Sequence, residues 1–128
     1  DFMQQFSLYA AIVNSWNWAE SHRLVLELDL SNLNQPDYEE NEQQDFRAIM
    51  LIFEHCTIID ELNEGFVGFS HGDARIIEAS EIKKEALHYS QDGIKLVMMH
   101  DSYDGSEEKL ISIVLLADKI SIIDSKLA

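Results

Sequence analysis

Five histidines, one cysteine and twenty-four carboxylates are the side chains of this 128-residue chain that could do chemistry. A compact zinc motif needs histidines or cysteines at short, fixed spacing. His22, His55, His71, His88 and His100 are spread too widely along the chain to supply one. Cys56 directly follows His55. Neighbours in a strand point to opposite faces, so these two should diverge and not form a thiolate–imidazole pair. Cys56 then reads as a small buried hydrophobe. Asp101–Glu108 has acids and a glycine in the manner of a calcium loop, but Tyr103 stands where a ligand belongs and the glutamate spacing is wrong. It reads instead as an acidic turn. A carboxylate pair of the glycosidase kind needs one member in an apolar pocket, and Glu54, inside a long apolar run, is the candidate. The sequence carries no nucleophile elbow, phosphate loop or dinucleotide fingerprint. No catalytic residue, cofactor or metal ligand is assigned, and the expectation is a binding protein and not an enzyme.

The carboxylates matter in bulk. The net charge is −15. Residues 1–64 hold thirteen acids and two bases, against eleven and seven in residues 65–128. Nucleic acid and anionic membranes are disfavoured as partners, because both are bound through Lys and Arg. A basic protein is the natural complement, since opposite fields speed encounter and reject wrong partners. Three clusters are the candidate partner-binding sites. The first is Asp37, Glu39, Glu40, Glu42 and Asp45, with Tyr38 as an aromatic anchor. The second is Asp60, Glu61 and Glu64. The third is Asp101, Asp104, Glu107 and Glu108, with Tyr103 as its anchor. Aromatic anchors commonly carry interface energy.

The elements that must position these groups are mostly strands. A hydrophobic share of 46% fits one folded domain over residues 1–128. Phe2, Phe6, Tyr9, Val13 and Trp16 recur at three- and four-residue steps, which predicts a helix over 2–18. Arg23–Leu30 alternates strictly, with Leu24, Leu26, Leu28 and Leu30 on one face. Residues 31–45 are polar and contain the only proline, Pro36, which predicts a long mobile surface loop. Phe46–Phe53 and Glu54–Leu62 read as strands with a bend at Glu54-His55; 66–70, 74–79, 94–100, 110–116 and 119–123 are further strands. Ser80–Leu87 fits either a helical turn or a strand end. Short turns between neighbours favour antiparallel pairing. The expected fold is α+β, mainly β: an N-terminal helix packed on a twisted antiparallel sheet or sandwich of about seven or eight strands. No internal repeat is visible. With a single cysteine, a reducing compartment is the simpler assumption, and no stretch approaches the length of a transmembrane helix.

The segment Trp18-Ala-Glu-Ser-His22, running at once into the alternating strand Arg23–Leu30, resembles the immunity proteins of bacterial toxin–immunity systems. The later order of elements, from Phe46–Phe53 to Ile120–Ile123, is similar to the strand meander in which that group ends. The resemblance implies a cytoplasmic monomer that forms a heterodimer with one cognate toxin. Such toxins are often basic nucleases of contact-dependent growth inhibition, and the immunity protein covers the active site or substrate groove. Two other classes compete with this reading: a small ligand-binding or enzymatic β-rich domain, and a subunit that buries an apolar sheet face in a larger assembly.

Overall fold

The computed structural model describes residues 7–31, 35, 46–62, 74–87, 90–101 and 108–124. Eight strands form one antiparallel sheet: β1 (Ile12–Ala19), β2 (Arg23–Ser31), β3 (Phe46–Glu54), β4 (Thr57–Asp60), β5 (Ala74–Ile82), β6 (Gly93–Asp101), β7 (Glu108–Leu116) and β8 (Lys119–Asp124). Their order is β4-β7-β6-β5-β1-β2-β3-β8. The helical parts among the described residues are one 3-10 turn at Glu20–His22 and a four-residue helix at Lys84–Leu87. The protein is therefore mainly β.

The expected N-terminal helix is corrected by the described part of its span. Residues 12–18 lie in β1, residues 7–11 form no helix, and residues 2–6 lie outside the described residues. The misleading signal has a physical cause. A register shift between Val13 and Ser15 inserts a bulge in β1. A bulge adds one residue and resets the alternation. Val13 and Trp16, three residues apart, are thus both buried, while Tyr9 of the same supposed stripe is exposed. In β2 nothing interrupts the period of two: Leu24, Leu26, Leu28 and Leu30 are buried, and Val25, Glu27 and Asp29 point outward.

The two ends of the strand order are tied together. β3 passes into β4 through His55 and Cys56 alone, and β7 passes into β8 through Ala117 and Asp118 alone. The two limbs stay paired across the bend. Glu54 faces Lys119, the Asp118 amide donates to the Glu54 carbonyl at 2.9 Å, and Thr57 then faces Leu116. Four strands, β1-β2-β3-β8, thus form one half, and β5-β6-β7-β4 the other. At the opposite side the halves meet through β1 and β5, where Ile12 faces Arg75 and Val13 faces Ala74. The eight strands remain one open antiparallel sheet, in which β3 and β7 continue through bends into β4 and β8. One apolar core fills the space between the halves, from Leu24, Leu26 and Phe53 to Ile76, Leu96, Met98 and Ile113.

This topology contains a repeat that the sequence reading did not find. Each half is a three-stranded meander whose chain then bends to give its fourth strand to the other half. Both first strands carry a bulge, at Val13/Ser15 and at Ile76/Glu78. Both bends are fastened alike: the Cys56 amide donates to the His22 carbonyl at 2.8 Å, and the Ala117 amide to the Asp92 carbonyl at 3.0 Å. The sequence echo of this topological repeat is slight. Ile58-Ile59-Asp60 ends one bent limb, and Ile122-Ile123-Asp124 ends the other.

Of the polar stretch 31–45, only Ser31 and Gln35 are described, and the expected loop otherwise lies outside the described residues. Gln35 is buried. Its Oε1 accepts from the Ser7 amide at 2.9 Å, and its Nε2 donates to the carbonyls of Ser7 at 2.8 Å and Ser31 at 2.9 Å. A buried amide that satisfies three backbone partners replaces the water they would lose.

Candidate partner-binding surface

Most of the sequence-derived site residues lie outside the described residues: Asp37, Tyr38, Glu39, Glu40, Glu42, Asp45, Glu64, Tyr103, Asp104 and Glu107. The others, Asp60, Glu61, Asp101 and Glu108, belong to one half. Asp60 closes β4 opposite Ile113 of β7. Glu108 opens β7 opposite Asp101 of β6. Asp60 thus lies near the middle of β7, and the Asp101–Glu108 pair at the end of β7 away from the bend. Ile113 and Glu108 are five residues apart along β7, about 17 Å at the usual strand rise.

Glu61 is already engaged. Its Oε1 accepts from the Ser112 hydroxyl at 2.9 Å and lies 3.3 Å from Lys95 Nζ. Its amide donates to the Ser112 carbonyl at 3.0 Å. Asp60 Oδ1 accepts from the Leu62 amide at 3.2 Å. Glu54, the sequence candidate for a pocketed carboxyl, instead forms a surface ion pair with Arg23, whose Nε lies 3.0 Å from Oε1 and 3.1 Å from Oε2.

The bends collect the remaining polar chemistry. His55 adopts a left-handed φ of 52°, and His22 one of 57°. Such values are uncommon outside glycine, and the hydrogen bonds around them hold the corner. His55 Nδ1 lies 2.8 Å from Asp118 Oδ2, and Gln91 Nε2 donates to Asp118 Oδ1 at 2.6 Å and to the His55 carbonyl at 3.3 Å. The Gln91 hydrogen bond, and after it His55, hold the Asp118 carboxyl below its usual range. Cys56 turns the other way, into the core. Burial pushes its thiol up to about 12 from an ordinary 9.0. The His55–Asp118 pair therefore has no activated thiol beside it.

The raised thiol gives a test of the corner. At about pH 8 the native Cys56 should resist a thiol-reactive dye that labels the urea-unfolded chain fully, because only thiolate reacts. Above the ordinary value the unfolded chain loses a proton that the native chain retains. Stability should accordingly fall as pH rises from 9.0 toward about 12. Rapid native labelling at pH 8 would show that the corner opens.

The surface that sequence reasoning missed is the outward face of β1-β2-β3-β8. The register lays it out in rows. Ala19, Arg23, Glu54 and Lys119 lie nearest the bend; then come Asn17, Val25, Ile52 and Ser121, and after them Ser15, Glu27, Met50 and Ile123. Ile12, Asp29 and Ala48 follow, and Ser31 with Phe46 lies at the far end. Ile123 is 53% exposed and Phe46 48%. A signal for this face was present in β3. Phe46, Ala48, Met50 and Ile52 share one parity, while Ile49, Leu51 and Phe53 share the other. A strand apolar on both faces must be covered on both or leave one exposed. In sequence, Asp45 directly precedes exposed Phe46, the first residue of β3.

Among the described residues no group of three or more His, Cys, Asp or Glu side chains is placed to hold a metal ion. No helix among them is long and apolar enough to cross a membrane. Neither protein-family models, nor curated proteins, nor solved structures give a match to the chain.

Proposed function

We propose that this chain is an immunity protein: it binds a basic nuclease toxin in the cytoplasm and covers the toxin's substrate groove with carboxylates. The observation that carries this reading is the surplus of negative charge, −15 in a chain with only nine bases. A nuclease groove is positive because it neutralises phosphates. A protein dense in carboxylates competes for that groove as a phosphate mimic. The three sequence clusters, led by Asp37–Asp45, are the groups proposed to enter it. Glu61 is the weakest of them, because Lys95 and Ser112 already share its charge. The resemblance of Trp18–Leu30 to immunity proteins points the same way.

The experiment is a binding titration between this chain and the C-terminal domain encoded by the gene immediately upstream. Tight association that weakens by about tenfold or more between about 0.05 and 0.5 M salt is the expected result. Absence of binding, or affinity indifferent to salt, would overturn the reading.

A further inference from the structure

We propose that the outward face of β2, β3 and β8 is the anchoring site of that partner, and that the partner surface it fits is apolar with flanking lysines or arginines. The inference rests on the reading that the chain binds a basic protein, and it assigns the place. Val25, Ile52, Met50, Ile123, Ala48 and Phe46 make a continuous apolar stripe by register. Phe46 at its far end and Ile123 at its β8 edge are about half exposed. An exposed apolar stripe with a polar surround is a mark of an interaction surface.

The carboxylates decide what sits on it. Glu27 lies beside Met50 in its row, and Asp29 lies beside Ala48. Neither is in an ion pair among the described residues, whereas Glu54 in the row nearest the bend is neutralised by Arg23. Any occupant of the stripe strips water from Glu27 and Asp29. Burying a carboxylate without a cation is costly. A second copy of this chain brings the same unpaired carboxylates and another charge of −15 to a self-complementary contact. A basic partner supplies the missing cations and an apolar contact at once, which is the usual make-up of an interface centre.

The test uses the full-length chain and two probes: a peptide alternating lysine with leucine, and polylysine of equal charge. Amide chemical shifts on titration locate each. The alternating peptide should perturb residues 25–29, 46–52 and 119–124. Its affinity should fall about tenfold or more in Phe46→Ser/Ile123→Ser and in Glu27→Lys/Asp29→Lys, while polylysine should be little affected by the first pair. Phe46 and Ile123 are exposed, and an unchanged urea midpoint verifies that their replacement leaves the fold intact. Shifts centred elsewhere, or wild-type affinity in both variants, would overturn the assignment. So would a micromolar dimer of the chain that Phe46→Ser/Ile123→Ser dissolves, because it gives the stripe to a second copy. Retained affinity of both variants for the upstream-encoded domain sinks the face alone. Peptide binding at the face without binding of that domain sinks the toxin reading alone.

Discussion

Gly93→Ala should destabilise the protein by about 3 kcal/mol or more, beyond the ordinary cost of an added methyl group in a packed interior. Gly93 opens β6 and is paired on both sides, with Ile82 of β5 and Leu116 of β7. A Cβ built there would fall on the Leu115 carbonyl oxygen, 2.9 Å from the Leu115 carbonyl carbon and 3.0 Å from Leu116 Cα. These are backbone atoms, so no side-chain rotation relieves the clash. The neighbouring Asp92 carbonyl also receives the Ala117 amide that fastens the bend between β7 and β8. Pushing β6 from β7 therefore loosens the corner through which the halves exchange strands. The urea midpoint measures this; a midpoint equal to that of the wild type would show that the strands separate at little cost.

Glu39→Lys/Glu40→Lys/Glu42→Lys should slow association with the basic domain by about tenfold or more at low salt. The segment from Asp37 to Asp45 is the densest run of acids in the chain, with five carboxylates in nine residues. Long-range attraction between opposite fields acts on the encounter and raises on-rates roughly 10- to 10³-fold. The reversal removes three attractive charges and adds three repulsive ones. Dissociation should change less, because it depends on the desolvated centre of an interface more than on steering charges. Stopped-flow mixing at low and high salt separates the two rates. Equal on-rates for the variant and the wild type would remove this segment from the recognition surface.

The fold was legible wherever the alternation ran unbroken. β2 could be placed because four leucines alternate with outward Val25, Glu27 and Asp29, and β7 and β8 because turn residues separate two apolar runs. β1 was misread because a bulge places Val13 and Trp16 on one side at a spacing that a helix also produces. The repeated topology was hidden because Arg23–Ser31 and Gly93–Asp101 fill equivalent positions with different side chains. Sheet pairing constrains polarity and volume more than identity.

The site was legible only as composition. Counting acids located a charge surplus but not its partners. That Lys95 and Ser112 engage Glu61, and that Arg23 engages Glu54, depends on strand neighbours far apart in sequence. The exposed stripe was written in the parity of Phe46, Ala48, Met50 and Ile52, yet parity alone does not say which face is covered. Only the pairing of Met50 with Ile123 and of Ile52 with Val25 shows the stripe crossing three strands.

As a proposed immunity protein, this chain places its carboxylates in the groove that nucleic acid would otherwise fill. Steady-state cleavage by the upstream-encoded domain tests it most directly, with nucleic acid varied at several fixed concentrations of the acidic chain. Competition for one groove predicts an apparent KM that rises with the acidic chain while kcat stays constant. A falling kcat at constant KM would contradict the claim, because the nuclease would then hold its substrate and the acidic chain together.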